Sequence, residues 1–444
     1  MSARASIAAV LTLLAAACTR SAPQGPAPAP APARTPTVIL VSIDTLRADH
    51  VGAYGYERDT TPFLDRWAKQ CVLFEHAFTP AAWTLIAHMS MLTGLYPEQH
   101  GVTEENLALS NQIPLLSEML QRAGYQTLGF YQPSWIHTRH GFGRGFDVFR
   151  AHDDADQAGE HLTEELAKVD HSRPLFLFLH LFDVHSDSAD KLPPSLYTSP
   201  PPYQDHFVPG ASERLKGENY TSMRKRKALT EQERTDITGL YDDGVRLVDA
   251  HLGEWFERWQ ADGLLDGALV IVTADHGESL AQRGRFGGHG SLWQEGLHVP
   301  LLLRLPDGSR AGEHVASVVH LIDVVPTVLE ALGLPHDARL PGLSLLGPLP
   351  ADRPLTGAYP PLVWALDWPR KLMRTRGQFF QVDLEADPGE LDVKRTTLED
   401  FEALRARFPG LDHPVAEPHS FGELSAEDAE AMRALGYGGE VEDR

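Results

Sequence analysis

The chain has 444 residues, room for about three domains of roughly 150 residues or for one large domain with an appendage. Its 42% hydrophobic and 23% charged residues exclude a mainly disordered chain, and the length buries a substantial core without disulfide or metal staples. Against 39 basic residues stand 61 acidic ones, a net charge of -22 that repels nucleic acid and anionic headgroups and argues against a phosphate-backbone partner.

The N-terminus reads as an export signal. Arg4 precedes an apolar run from Ile7 to Ala17, too short to span a bilayer and suited to a secretory signal peptide over residues 1–17. Ala15-Ala16-Ala17-Cys18 resembles a bacterial lipoprotein signal, in which Cys18 becomes the lipidated first residue of the mature chain. The resemblance implies a membrane-anchored protein of the bacterial cell envelope. An ordinary cleaved signal with an incidental cysteine implies a periplasmic or secreted one. Cys71 is the only other cysteine, so lipidation of Cys18 leaves it without a disulfide partner. Prolines at 23, 26, 28, 30, 32 and 36 make residues 18–36 an extended, semi-rigid spacer.

From Thr37 onward, apolar runs at Val38–Ile43, Leu128–Tyr131, Leu175–Leu181, Ala268–Ala274 and Val299–Leu303 predict buried strands. Between them lie helical patterns. Thr61-Pro62 has the form of an N-cap followed by proline, predicting a helix to about Cys71. Val245, Val248, Leu252, Trp255 and Trp259 share one face of a helix over about 231–262. Strands alternating with helices predict an α/β fold with a mostly parallel central sheet flanked by helices. Residues 192–226, rich in Pro, Ser, Tyr and charge, read as a surface insertion at the substrate rim. After about residue 335 the pattern shortens. Residues 37–335 are then the catalytic domain, and 336–444 a smaller α+β subdomain with a short antiparallel sheet and a closing helix near 426–435.

Two predicted strands run straight into acid, at Asp44 and at Asp275-His276. Ligands of parallel sheets bind at the carboxyl ends of strands, so the two carboxylates could share a site, and Asp, Asp and His suit a divalent cation. A strand-end acid is also a common helix cap. Thr84 opens a pattern that closes at Gly94. Free N–H groups at a helix start favour a tetrahedral anion, and a hydroxyl there beside a dication could attack phosphorus or sulfur. Thr before a helix is equally a standard N-cap.

The segments VSIDTLRADHVGAYGY, T-x-x-x-H-x-x-x-L-T-G-L-Y-P, LHLFDVH, VTADHGE, GGHGSLWQEGLHVPL, LIDVVPTVLEALGL and DLEADPGE occur in the order seen in sulfatases. From Thr37 to the closing RALGYGG the chain resembles the sulfatase family of the alkaline-phosphatase-like superfamily. The resemblance implies Asp44, Asp275 and His276 as metal ligands and Thr84 as a nucleophile that also touches the metal. It places His88 where the signature has an Arg that supports the nucleophile and neutralises charge. It makes His185 a contact to the transferring group or the acid for the leaving oxygen, and His289 the replacement of an anion-binding Lys.

The departures are as informative. Sulfatases oxidise a Cys or Ser in C/S-x-P-x-R to formylglycine; here those signature positions are Thr84, Ile86 and His88, and the methyl on the Thr carbinol carbon precludes an aldehyde. Thr45 replaces a second carboxylate and His276 an Asn, which shifts the preference from calcium towards manganese or zinc. One divalent metal ion is expected. Asp183, His185 and His289 offer a makeshift second site, although Asp187 stands where related branches have His. The expected function is metal-dependent hydrolysis of a small anionic sulfuric or phosphoric ester, with Thr84 attacking. The alternatives are a phosphodiesterase or phospho-group transferase of the same superfamily, or a silent metal-binding protein. Anion contacts made by histidines are expected to strengthen in mild acid.

Overall fold

The computed structural model describes residues 35–186, 196–284, 286–335, 337, 340–408, 411 and 414–421. The expected signal peptide, Cys18, the spacer up to Arg34, Asp187 and the closing helix near 426–435 lie outside the described residues.

Val38–Ile43 is buried along its whole length because it is covered on both edges and both faces. It pairs in parallel with Leu175–Leu181 on one side and Leu269–Thr273 on the other, which places Ser42 beside both His180 and Thr273. From edge to edge the central sheet runs 314–320, 72–78, 301–304, 269–273, 38–43, 175–181, 126–131 and 148–151, with 298–299 paired to 72–78. It is mostly parallel, and helices pack against it. The predicted strand over 299–303 differs: Pro300 lacks an N–H and divides it, and Leu301–Arg304 runs antiparallel to both neighbours. The Pro300 carbonyl accepts a hydrogen bond from Thr273 Oγ1 at 2.7 Å.

Two helices position the site. Thr84–Thr93 is buried on every side, and Gly94, at φ 72°, closes it with its N–H on the Ser90 carbonyl. Glu231–Ala261 begins with a capping box between Thr230 and Glu233, and Tyr241 on it donates its hydroxyl to the Thr45 carbonyl at 2.7 Å. The helix at Thr61-Pro62 runs only from Pro62 to Ala68. Thr61 does not cap it with its side chain; Asp249 of the long helix accepts the Phe63 and Leu64 N–H groups instead, each at 2.8 Å.

The inserted segment is more ordered than its composition suggests. It holds short helices at Ala211–Arg214 and Tyr220–Arg224 and buries Tyr197, Leu215, Tyr220 and Met223. Beyond residue 354, strands 355–359, 362–367, 370–375, 378–383 and 394–395 form an antiparallel sheet in that order, followed by helix Leu398–Arg405. Its Leu355, Trp364 and Met373 share a core with Phe78, Ala82 and Leu297 of the main body. Lys371 and Glu390 are a buried ion pair at this junction, and Lys371 Nζ also donates to the Leu292 carbonyl at 2.6 Å. Among the described residues no helix is long and apolar enough to cross a membrane.

Candidate active site

Parallel pairing brings the carboxyl ends of strands 38–43, 175–181 and 269–273 together, and the start of helix 84–93 meets them there. Asp44, Thr84, Asp275 and His276 are all 0% exposed. Thr84 Oγ1 lies 3.3 Å from Asp44 Oδ2 and 3.2 Å from His276 Nε2. The cap position belongs to Trp83, so Thr84 is the first helical residue and its hydroxyl faces Asp44 and His276 rather than capping the turn. His276 Nδ1 donates to the Gly277 carbonyl at 2.9 Å, which leaves Nε2 as the acceptor nitrogen on the site side.

The donor set fits a cation. One ligand atom from each of Asp44, Asp275 and His276 lies within 4.8 Å of the others. Among the described residues Asp44 Oδ1 and Asp275 Oδ2 are buried without a hydrogen-bond partner, an arrangement that is costly for carboxylates lacking a counter-charge. Burial pushes both carboxyl pKa values up, and the proximity of Asp44 raises Asp275 further. Burial opposes a charge on His276, yet Asp275 and Asp44 together hold its pKa above the ordinary value. The field at this point demands positive charge.

Beneath this group sit two imidazoles. His88 Nδ1 donates to the Thr84 carbonyl and Nε2 accepts from Ser42 Oγ, both at 2.9 Å. Burial pushes its pKa down to about 3, so it is neutral, and the expected neutralisation of charge by His88 is not what it does. It holds the first turn of the helix. His180, which the sequence reading missed inside the apolar run LFLFLHL, brings Nε2 to 3.1 Å from Asp44 Oδ2. His88, His180 and Asp275 also approach within 4.8 Å of one another, but the Nδ1 proton of His88 is committed to the Thr84 carbonyl.

His185 and His289 do join the site. Their rings are 5.0 Å apart, and His289 is 5.9 Å from the His276 ring. His289 is flanked by Gly288 and Gly290, both at positive φ, and the Gly290 N–H donates to the Ala82 carbonyl at 2.7 Å beside the start of the Thr84 helix. His185 Nδ1 donates to the Ser186 carbonyl at 2.7 Å, and burial pushes the ring down to about 4. In that tautomer Nε2 is an acceptor, so a proton for the leaving group does not come from this imidazole as it stands. With His88 and His185 titrating so low, the expected gain of charge in mild acid does not occur at these two residues.

Glu278 was also missed. It is fully buried, accepts from Ser186 Oγ at 3.0 Å and from the Tyr197 hydroxyl at 2.7 Å, and burial pushes it up to about 7. Its Oε1 is 4.0 Å from His289 Nδ1. Asp183, by contrast, accepts the Ala155 N–H at 3.1 Å at the start of helix Ala155–Leu166, and among the described residues it forms no ligand group with His185 and His289.

A family model described as sulfatase matches residues 36–334. The chain belongs to the sulfatase family. This sulfatase-family chain is 24% identical over 333 residues to arylsulfatase K of Xenopus laevis, covering 66% of this chain and 62% of that protein. It therefore spans about three fifths of that relative's length. It is 20% identical over 407 residues to N-acetylglucosamine-6-O-sulfatase of Bacteroides thetaiotaomicron, covering 72% of this chain and 73% of that protein. Its fold matches a phosphonate monoester hydrolase of Agrobacterium radiobacter at a TM-score of 0.66 and 21% identity, over 84% of this chain and 94% of the other. A structure solved with its substrate D-glucosamine-2-N,6-O-disulfate matches equally, with a TM-score of 0.66 at 17% identity, over 84% of this chain and 97% of the other. These likenesses show that the chain shares its fold with both proteins.

Proposed function

We propose that the protein is a metal-dependent hydrolase of sulfuric or phosphoric esters in which Thr84 is the nucleophile. The observation that carries this reading is the Thr84 hydroxyl, the first side chain of a buried helix, within 3.3 Å of Asp44 and 3.2 Å of His276. Asp44, Asp275 and His276, with Thr84, would hold one divalent ion, which when bound supplies Lewis-acid polarisation of the ester and a lowered pKa for the Thr84 hydroxyl. One imidazole among few carboxylates favours manganese or zinc over calcium.

Thr84 would give its hydroxyl proton to Asp44 Oδ2 and form the Oγ1 bond to phosphorus or sulfur as the bond to the leaving oxygen breaks. That oxygen departs as the alkoxide or aryloxide and takes its proton from water. The N–H groups at the helix start face the charge that develops on the non-esterified oxygens. His289 contacts the anion. The neutral His185, protonated on Nδ1, offers an acceptor nitrogen to the water that clears the covalent intermediate. His88 and His180 hold the Thr84 turn and the Asp44 carboxylate without touching substrate. A Thr side chain gives no aldehyde, so within this class the reading favours phosphate or phosphonate esters over sulfate.

The test is a panel of chromogenic sulfate, phosphate monoester, phosphate diester and phosphonate substrates with added manganese, zinc or calcium. Turnover should appear in at least one class and fall by about a thousandfold or more in Thr84→Ala. A Thr84→Ala protein with full activity would sink the mechanism. Silence of the wild type across the panel, despite stoichiometric bound metal, would mark a protein that keeps the fold and has lost turnover. The same reading places the protein in the bacterial cell envelope, anchored by lipid at Cys18.

A further inference from the structure

The inserted segment delivers one polar group to the site that the packing does not use. Tyr220, the first residue of helix Tyr220–Arg224, is 2% exposed, and its ring stacks on His289 with centroids 5.1 Å apart and planes at 27°. Its hydroxyl is buried and has no hydrogen-bond partner among the described residues. The other tyrosine that this segment buries, Tyr197, gives its hydroxyl to Glu278 at 2.7 Å. The contrast is informative: Tyr197 has an acceptor in the fold, whereas Phe at position 220 would fill the same space and leave no donor stranded. A buried donor without an acceptor calls for an explanation, and one supplied only when a ligand binds is consistent with its position.

That position is fixed from two sides. Gly288 adopts φ +64°, and a Cβ there would collide with the Tyr220 ring and hydroxyl. His289, against which the ring lies, is 5.0 Å from His185 and 5.9 Å from His276. The phenol therefore belongs to the same cluster as the residues around Thr84. An anionic ester brought there has shed its water and carries oxygen acceptors in excess of the donors the imidazoles offer.

We propose that Tyr220 is a further substrate-contacting residue, its hydroxyl donating a hydrogen bond to a non-esterified oxygen of the bound sulfuryl or phosphoryl group. The inference rests on the ester-hydrolase reading above and adds to it a binding residue from outside the sulfatase-like motifs.

Tyr220→Phe tests it, because the ring and its stack on His289 are kept and only the hydroxyl is lost. The full chain loaded with manganese would be compared with wild type in three measurements: thermal midpoint, calorimetric affinity for orthovanadate, and turnover of the best chromogenic ester. The expected result is an unchanged or raised midpoint, since a stranded donor has been removed. Vanadate affinity should fall tenfold or more, and kcat roughly ten- to a hundredfold. A lowered midpoint with vanadate affinity and turnover at wild-type levels would overturn the proposal and make Tyr220 a packing residue. Wild-type protein that neither turns over an ester nor binds vanadate would overturn the hydrolase reading and this one together. An active wild type matched by Tyr220→Phe would overturn this one alone.

Discussion

At position 84 one methyl group separates this site from the formylglycine chemistry of its family, while the hydroxyl beside that methyl still faces the Asp44 carboxylate and the His276 imidazole. The residues that could be read from the chain are those whose place follows from local pattern. Asp44 and Asp275 end strands, His276 follows directly, and Thr84 begins a helix, so parallel pairing alone brings them together. His180 is the counterexample. Its Nε2 lies 3.1 Å from Asp44 Oδ2, and a histidine that orients a ligating carboxylate commonly contributes ten- to a hundredfold to metal affinity. His180→Phe should therefore weaken manganese binding by about that factor in a calorimetric titration while Thr84 stays in place. Unchanged affinity would show His180 to be packing only. Its role was illegible because an isolated His in an apolar strand looks like core until the register sets it beside Ser42. For His88 the position could be read but the charge could not, since only tertiary burial drives its pKa to about 3.

Among elements, the antiparallel sheet of residues 355–395 meets the site at the start of the Thr84 helix, where the Tyr359 ring lies 5.2 Å from that of Trp83, and again through the loop after His289. Lys371 bonds the Leu292 carbonyl, Glu390 accepts the Gln294 N–H at 2.6 Å, and the Arg283 guanidinium lies 3.7 Å from the Trp293 ring centroid. All three grip the stretch that follows His289. Removing one member of a buried ion pair typically costs about 3–5 kcal/mol, because the other charge is left unpaired. Lys371→Ala should lower unfolding stability by that order in a denaturant melt and reduce ester turnover by displacing His289. Wild-type stability in the variant would mean that water reaches Glu390. This coupling could not be read from the sequence, where Lys371 and Glu390 look like ordinary surface charges of a short meander. The divided strand at Pro300 was half legible: the proline was visible, and the antiparallel direction of the segments on both sides of it was not.

For the whole molecule, the net charge of -22 and the proposed anchor act together. An acidic body is repelled by anionic headgroups, so attachment to a membrane would rest on the proposed lipid at Cys18 alone. Membrane fractionation should find the wild-type protein with the membrane and Cys18→Ser in the soluble pool. Identical pools for the two would exclude lipidation. Within the body, the acidity that excluded nucleic acid is turned inward at Asp44 and Asp275, where the orphaned oxygens call for a cation. The candidate ligands are also wholly enclosed: Asp44, Thr84, Asp275 and His276 are 0% exposed, and His289 and Tyr220 are each 2% exposed. Cut off from bulk water in this way, the charges at Asp44 and Asp275 act on a bound ion or ester at low effective dielectric, where each interaction is worth several times its value at an exposed surface.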